Sequence, residues 1–214
     1  MSIMMENKKE SSSLSGIKED RTMILMTKRL ILRPWMETDA ENLFAYAGDP
    51  DVGPAAGWPP HKNAEESLAV IRNVLTAPEC YAVCERENGE AIGSVGLKLN
   101  GHTDMTERED ECELGYWLGK PFWGRGYMPE AAEELIRHGF EDLGMTTIWC
   151  GYYDGNHKSK RVQEKLGFIF HHTCDHVPVP LMNEVRTGHT NYMTKEQWLR
   201  RKAPDSPHPV LGKG

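Results

Sequence analysis

Lys120-Pro121-Phe122-Trp123-Gly124-Arg125-Gly126-Tyr127-Met128 joins two segments of different periodicity. Before it, Cys112 to Leu118 reads as a strand. After it, Met128, Ala131, Ala132, Leu135 and Gly139 recur at helical spacing and predict a helix from about Gly126 to Phe140. A strand that ends in a glycine turn and opens into a helix leaves the first helical N–H groups unpaired. They lie at the positive end of the macrodipole, where anions bind. Glycines at 124 and 126 let the main chain approach a pyrophosphate with no Cβ in the way, and Arg125 adds positive charge. By itself, the G-x-G spacing fits an ordinary tight turn as well as a phosphate site.

Working outward, Leu30, Leu32 and Pro34 alternate with Arg29, Ile31 and Arg33, as in a strand. Thr38-Asp39-Ala40-Glu41 has the form of a capping box for a short helix carrying Leu43, Phe44 and Ala47. The Gly/Pro-rich segment Val52 to Lys62 reads as a loop holding Trp58. A second helix starts near Asn63 and closes at Pro78. Tyr81 to Glu85 and Ala91 to Leu99 predict a hairpin, because Asn88-Gly89 lies between them. Beyond the glycine turn, Thr147 to Gly151 reads as a strand and Asn156 opens a helix that Gly167 stops. Phe168 to Thr173 and the pair Tyr192-Met193 read as strands, and Lys195 to Arg201 as a last helix. A hairpin first and βα units later predict an α/β sheet with antiparallel and parallel pairs. Composition marks residues 1–24 as a leader, 25–202 as one folded domain and 203–214 as a loose tail, with Met26 an alternative start.

The chain has 214 residues and a formal net charge of −7, from 25 Lys+Arg against 32 Asp+Glu. Such a length buries a core without disulfide staples. An acidic surface disfavours nucleic acid and anionic membrane and suits a cationic partner such as a protonated amine. No run approaches the ~20 apolar residues of a spanning helix, and the polar N-terminus lacks a signal-peptide core. The odd set Cys80, Cys84, Cys112, Cys150 and Cys174 has no CxxC pair, so reduced and mostly buried thiols in a cytoplasmic protein are expected.

Several separate stretches together resemble one family. Gly124 and Gly126 match the acyl-CoA-binding loop [Q/R]-x-x-G-x-[G/A] of the GNAT N-acetyltransferases, although Pro121 stands at its first position. Gly115-Tyr116-Trp117-Leu118, Trp123, and Glu130-Ala131-Ala132 are similar to the RimJ/RimL-like ribosomal-protein branch. So are Thr27 to Pro34, Asn156-x-x-Ser159 and Glu164-Lys165-Leu166-Gly167-Phe168. The resemblance covers about Thr27 to Trp198. It implies a mixed, mostly antiparallel sheet of six or seven strands, flanked by helices and opening into a V after Leu118. It also implies acetyl-CoA as cosubstrate, no metal, and direct attack of a primary amine on the thioester.

In such a fold the pantetheine arm lies beside the splayed strand Glu113 to Leu118. The resemblance implies that backbone groups of Tyr116, Trp117 and Leu118 meet the arm, with one N–H near Trp117 or Leu118 polarising the thioester carbonyl. Amides of Trp123, Gly124, Arg125, Gly126, Tyr127 and Met128 would hold the pyrophosphate. Asn156 matches an asparagine that bonds the pantetheine. It also reads as a helix N-cap, a role that uses one amide atom and leaves the other free. Lys158, Lys160 and Arg161 fit either the 3′-phosphate of CoA or a solvated basic face. The position where many members carry a tyrosine acid is Gln163, so Ser159 is the substitute acid, or else a small residue for helix packing. Glu113 matches a glutamate base, but it also ends the acidic run Glu107, Glu109, Asp110, Glu111, which fits a solvated hairpin.

Trp58 and His61 are candidates for the acceptor pocket or for a plug over the core. His172, Cys174 and His176 would share a strand face with His171 beside them, but their spacing fits no standard metal site. The expected partner is an amine acceptor, either a protein N-terminus or a small molecule, with self-association into a homodimer left open. The rival reading is a catalytically silent CoA-binding module, which the missing tyrosine at 163 favours.

Overall fold

The computed structural model describes residues 23–100 and 102–203, so the leader up to residue 22 and the tail from residue 204 lie outside the described residues. In chain order the elements are β1 (Leu25–Met26), β2 (Leu30–Pro34), α1 (Ala40–Ala47), α2 (Gly53–Ala56), α3 (Ala64–Val70), β3 (Cys80–Glu85) and β4 (Ala91–Lys98). They continue with β5 (Glu111–Leu118), α4 (Tyr127–Glu141), β6 (Thr147–Tyr153), α5 (His157–Leu166), β7 (Ile169–Val179), β8 (Glu184–Thr194) and α6 (Lys195–Lys202).

Eight strands form one sheet in the order β1-β2-β3-β4-β5-β6-β8-β7. All neighbours are antiparallel except β5 and β6. The count exceeds the six or seven expected. One addition is β1, whose two residues pair with Leu32 and Ile31. The closing hairpin is also longer than its sequence suggests. β7 is an edge strand, exposed along nearly its whole length, so it carries no hydrophobic alternation to mark its extent.

The local signals resolve unevenly. Asn63 caps α3 as expected, its side chain accepting from the Glu66 amide at 2.8 Å, and a π-helical turn over Ile71–Leu75 extends that helix. Thr38 is not a cap. Asp39 stands at the start of α1 without a side-chain bond into that helix; it accepts the Met36 amide of the preceding turn at 2.9 Å while Arg33 grips both its oxygens at 2.7 and 2.8 Å. The segment read as a loop before α3 contains the single turn α2.

The core has two sides. On one, Ala131, Ala132, Leu135, Ile136 and Phe140 of α4 cover Leu30, Leu32, Ile92, Val95, Leu97, Leu114 and Ile148 of the sheet. On the other, Leu43, Ala47 and Ile71 cover Trp35, Ala82 and Cys84. Cys84, Cys112 and Cys150 are buried, Cys80 is half-buried and Cys174 is exposed; all five are free thiols. Burial pushes the Cys84 thiol up to about 11 and the Cys112 thiol up to about 12.

The feature that positions the site is a break in the sheet. β5 and β6 pair only at Glu111–Thr147, Cys112–Ile148 and Glu113–Trp149. Each strand then follows its other neighbour, β5 along β4 as far as Leu118–Gly93 and β6 along β8 as far as Tyr153–Gly188. The sheet therefore opens just after Glu113, five residues earlier along the strand than the expected Leu118. Among the described residues no helix is long and apolar enough to cross a membrane.

Candidate functional site

The gap between β5 and β6 has a backbone code that the register fixes. The Gly119 amide donates to Ile92 O at 2.8 Å, and Gly93 lies opposite Leu118. In an antiparallel pair, alternate residues point their N–H and C=O at the same neighbour. Gly115 and Trp117 thus spend their main-chain groups on β4, while Leu114, Tyr116 and Leu118 turn theirs toward the gap. The expectation that Trp117 offers its backbone to a ligand is corrected by this register. Leu118 keeps only its N–H, because its carbonyl accepts from Trp123 Nε1 at 2.7 Å.

At the open end of this edge stands the glycine turn. Gly124 and Gly126 have φ of +77° and +78°, the left-handed region that favours glycine. A Cβ at Gly124 would meet nothing within 4 Å, so this backbone faces open space. Helix α4 begins at Tyr127 directly behind it, with Met128 buried beneath. Positive groups gather here. Lys158 Nζ lies 4.3 Å from the Trp123 ring centre, the Arg125 guanidinium 5.5 Å from that of Phe122, and Arg29 donates to Arg125 O at 3.0 Å. Lys158 and Arg161 line the cleft, whereas Lys160 reaches Glu164 at 4.0 Å.

Opposite the turn, α5 begins at Asn156. Its Oδ1 accepts the Ser159 amide at 3.1 Å, the expected cap. Its other amide atom is not left free, since Nδ2 donates to Ala55 O of α2 at 3.0 Å. Ser159 Oγ lies 3.0 Å from Tyr116 Oη, and Tyr116 also donates to the Ser159 carbonyl at 3.2 Å. Gln163 braces this pair. Its Nε2 donates to Ser159 Oγ at 3.2 Å and to Gly151 O at 3.0 Å, and its Oε1 accepts from Asn191 at 2.7 Å. A buried amide tying three elements together explains what Gln163 does where a tyrosine was missed. Burial pushes the Tyr116 phenol well above its ordinary value, so it stays protonated and can donate. Nothing local in the sequence gives the Tyr116 side chain a role, because its partner Ser159 lies 43 residues away.

At the closed end of the gap lies Glu113. It is 7% exposed, which rules out a solvated hairpin. Its Oε1 accepts from Lys98 Nζ at 2.7 Å and its Oε2 from Thr103 Oγ1 at 2.6 Å. The acidic run divides: Glu107 and Glu109 are exposed, while Glu111 is buried and accepts from Trp149 Nε1 and Thr106 Oγ1, both at 2.7 Å. Trp117, on the same face as Glu113, stacks on Trp35 at 6.3 Å and meets Trp58 edge-on at 5.9 Å. Trp58 therefore helps wall the cleft. His61 beside it bonds Ser67 Oγ at 2.8 Å, and burial lowers its pKa, keeping the ring neutral.

Trp58, Glu113, Tyr116, Trp117, Gly124 and Ser159 line one cleft of about 1550 Å³ that reaches both faces of the opened sheet. His172, Cys174 and His176 also border it, but a register shift in β7 between Cys174 and Val177 interrupts their common face. Among the described residues no three His, Cys, Asp or Glu groups converge as a metal site would require.

A family model described as an acetyltransferase (GNAT) domain matches residues 29–169. The uncharacterized N-acetyltransferase YoaA of Bacillus subtilis is 26% identical over 150 residues, covering 68% of this chain and 82% of its own. An acetyltransferase structure from Bacillus anthracis aligns with a TM-score of 0.71 at 21% identity, over 81% of this chain and 99% of that one. The ribosomal-protein-S5-alanine acetyltransferase of Vibrio fischeri shares the fold with a TM-score of 0.64 at 17% identity, over 82% and 98% of the two chains.

Proposed function

Because the chain belongs to the GNAT family of N-acetyltransferases, we propose that it moves the acetyl group of acetyl-CoA onto a primary amine that enters beside Glu113. The acceptor is a protein N-terminus or a small amine. One observation carries the reading: the unpaired edge of β5 runs from the glycine turn at one end to a buried carboxylate at the other.

The pyrophosphate sits on the amides of Trp123 to Met128, in the open space beside Gly124. The pantetheine arm extends along β5 like an added strand, against the free groups of Leu118, Tyr116 and Leu114. From Leu118 to Leu114 this edge is about 13 Å long, at ~3.3 Å per residue. The reacting end of the arm then lies toward the closed end of the gap. The carbonyl is polarised by the N–H of Tyr116, not by Trp117, and not by Leu114, whose N–H is used in the last parallel pair, Glu113–Trp149. Losing such a donor typically costs about 3 kcal/mol of transition-state stabilisation. Glu113 takes a proton from the incoming ammonium, and Ser159, backed by Tyr116, faces the departing sulfur. No metal enters the reaction, so exhaustive chelation leaves the rate intact.

The test is an acceptor screen with acetyl-CoA, reading free thiol release over N-terminal peptides of ribosomal proteins, amino acids and polyamines. Turnover on one class identifies the acceptor. Tight acetyl-CoA binding with no turnover on any acceptor supports the silent CoA-binding module instead.

A further inference from the structure

Lys98 stands where an acceptor amine is required. It lies on β4 opposite Glu113 in the register, and its Nζ rests 2.7 Å from Glu113 Oε1. Its chain crosses above Gly115: a Cβ built at that glycine would lie 3.6 Å from Lys98 Cε, with no other neighbour within 4 Å. Gly115 sits between Leu114 and Tyr116, whose main-chain groups face the gap. Thr103 holds the second oxygen of the same carboxylate at 2.6 Å, so the group that would deprotonate an amine is aimed at this ammonium. The lysine is not locked away, since its side chain is 52% exposed, and it borders the cleft.

We propose that Lys98 is a self-acetylation site: without another amine, the enzyme transfers the acetyl group of bound acetyl-CoA to Lys98 Nζ of its own chain. This rests on the reading of the cleft given above. The ammonium gives one proton to the Glu113 carboxylate, and the free amine attacks the thioester carbonyl. The C–N bond forms, the C–S bond breaks, and the thiolate leaves and takes up the second proton from nitrogen. The products are an amide on Lys98, CoA thiol and protonated Glu113, so atoms and charge balance. The modification removes the positive charge that neutralises Glu113 and fills the space above Gly115.

The experiment incubates the full chain with acetyl-CoA and no acceptor, then locates acetyl groups by peptide mass spectrometry over time. Lys98 is expected to be modified about tenfold or more faster than exposed Lys28, since general-base help typically contributes 10²-fold or more. The rate should not depend on protein concentration, and added CoA, which occupies the site without reacting, should slow Lys98 but not Lys28. Glu113→Gln should bring Lys98 down to the background of Lys28, and Lys98→Arg should remove the product. Equal rates at Lys98 and Lys28, a rate that rises with protein concentration, or indifference to CoA overturns the proposal. Two controls separate it from the functional reading. Thiol release on added amines with Lys98 unmodified removes the self-acetylation alone, whereas calorimetry showing no acetyl-CoA binding removes both.

Discussion

Replacing Glu113 with Gln keeps the shape that Lys98 and Thr103 hold but takes away the basic oxygen. The variant is expected to bind acetyl-CoA with unchanged affinity by calorimetry and to lose roughly 10²-fold or more in kcat/KM, the usual size of general-base catalysis. A Glu113→Gln enzyme with full activity would return the proton to water or to another carboxylate. At this scale the sequence names the residue and not its surroundings. Glu113 and Glu111 are buried while Glu107 and Glu109, in the same acidic run, are exposed, because the partners that make burial tolerable come from other segments. Those partners are Thr103, Thr106, Lys98 and Trp149. Tyr116 likewise becomes a donor only because α5 brings Ser159 to its hydroxyl.

Helix α4 carries two tests, one at each end. At its start, Gly124→Val places a β-branched residue at φ +77°, where an L residue is strained by ~1–2 kcal/mol, and its side chain projects into open space. Acetyl-CoA affinity should fall at least about tenfold, or ~1.4 kcal/mol, in a protein that still melts cooperatively. Unchanged affinity by calorimetry would move the pyrophosphate elsewhere. Near its end, His138 is fully buried with Nε2 2.9 Å from Glu79 and Nδ1 2.8 Å from Asp142. Tyr81 donates to Glu79 at 2.7 Å and Arg137 approaches Asp142 at 3.0 Å. The bond to Glu79, then that to Asp142, raises the His138 pKa above its usual value against the effect of burial. Its stabilisation is complete below about pH 6.5 and is lost as pH rises through the raised folded value. Glu79 is lowered mainly by His138, and Asp142 by Arg137 and then His138. Their share is present above about pH 4 and is lost as pH falls through the folded values. Urea midpoints should peak between these limits and decline from about pH 6.5 to about pH 8, below the range in which the buried thiols of Cys84 and Cys112 contribute, with that decline absent in His138→Gln. A midpoint that climbs from about pH 6 to about pH 9 contradicts the assignment.

For the whole molecule, stability rests on the layer between the sheet and α4. Phe140 is fully buried there, with the Trp198 ring of α6 centred 5.5 Å away. Phe140→Ala should cost about 3–5 kcal/mol in urea unfolding, the range for a large ring lost from a packed core. A loss under about 1 kcal/mol would mean that α6 collapses into the space. The periodicity of α4, the hairpin turn at Asn88-Gly89 and the caps at Asn63 and Asn156 were legible because each depends on residues a few positions apart. So was the glycine turn before α4, since glycine spacing and a helix start are local properties. The edge strand β7 was only half legible, because a strand exposed on both faces has no alternation to read. What the sequence by itself determined is which segments are strands and helices, which family they resemble and where a glycine turn opens into a helix. Only the tertiary structure decided where the sheet opens, that Trp117 turns its backbone away, that Tyr116 meets Ser159 and that Lys98 lies on Glu113. Each of these is set by register between strands or by contacts across tens of residues, and a one-residue shift in register would reverse the direction of every group along β5.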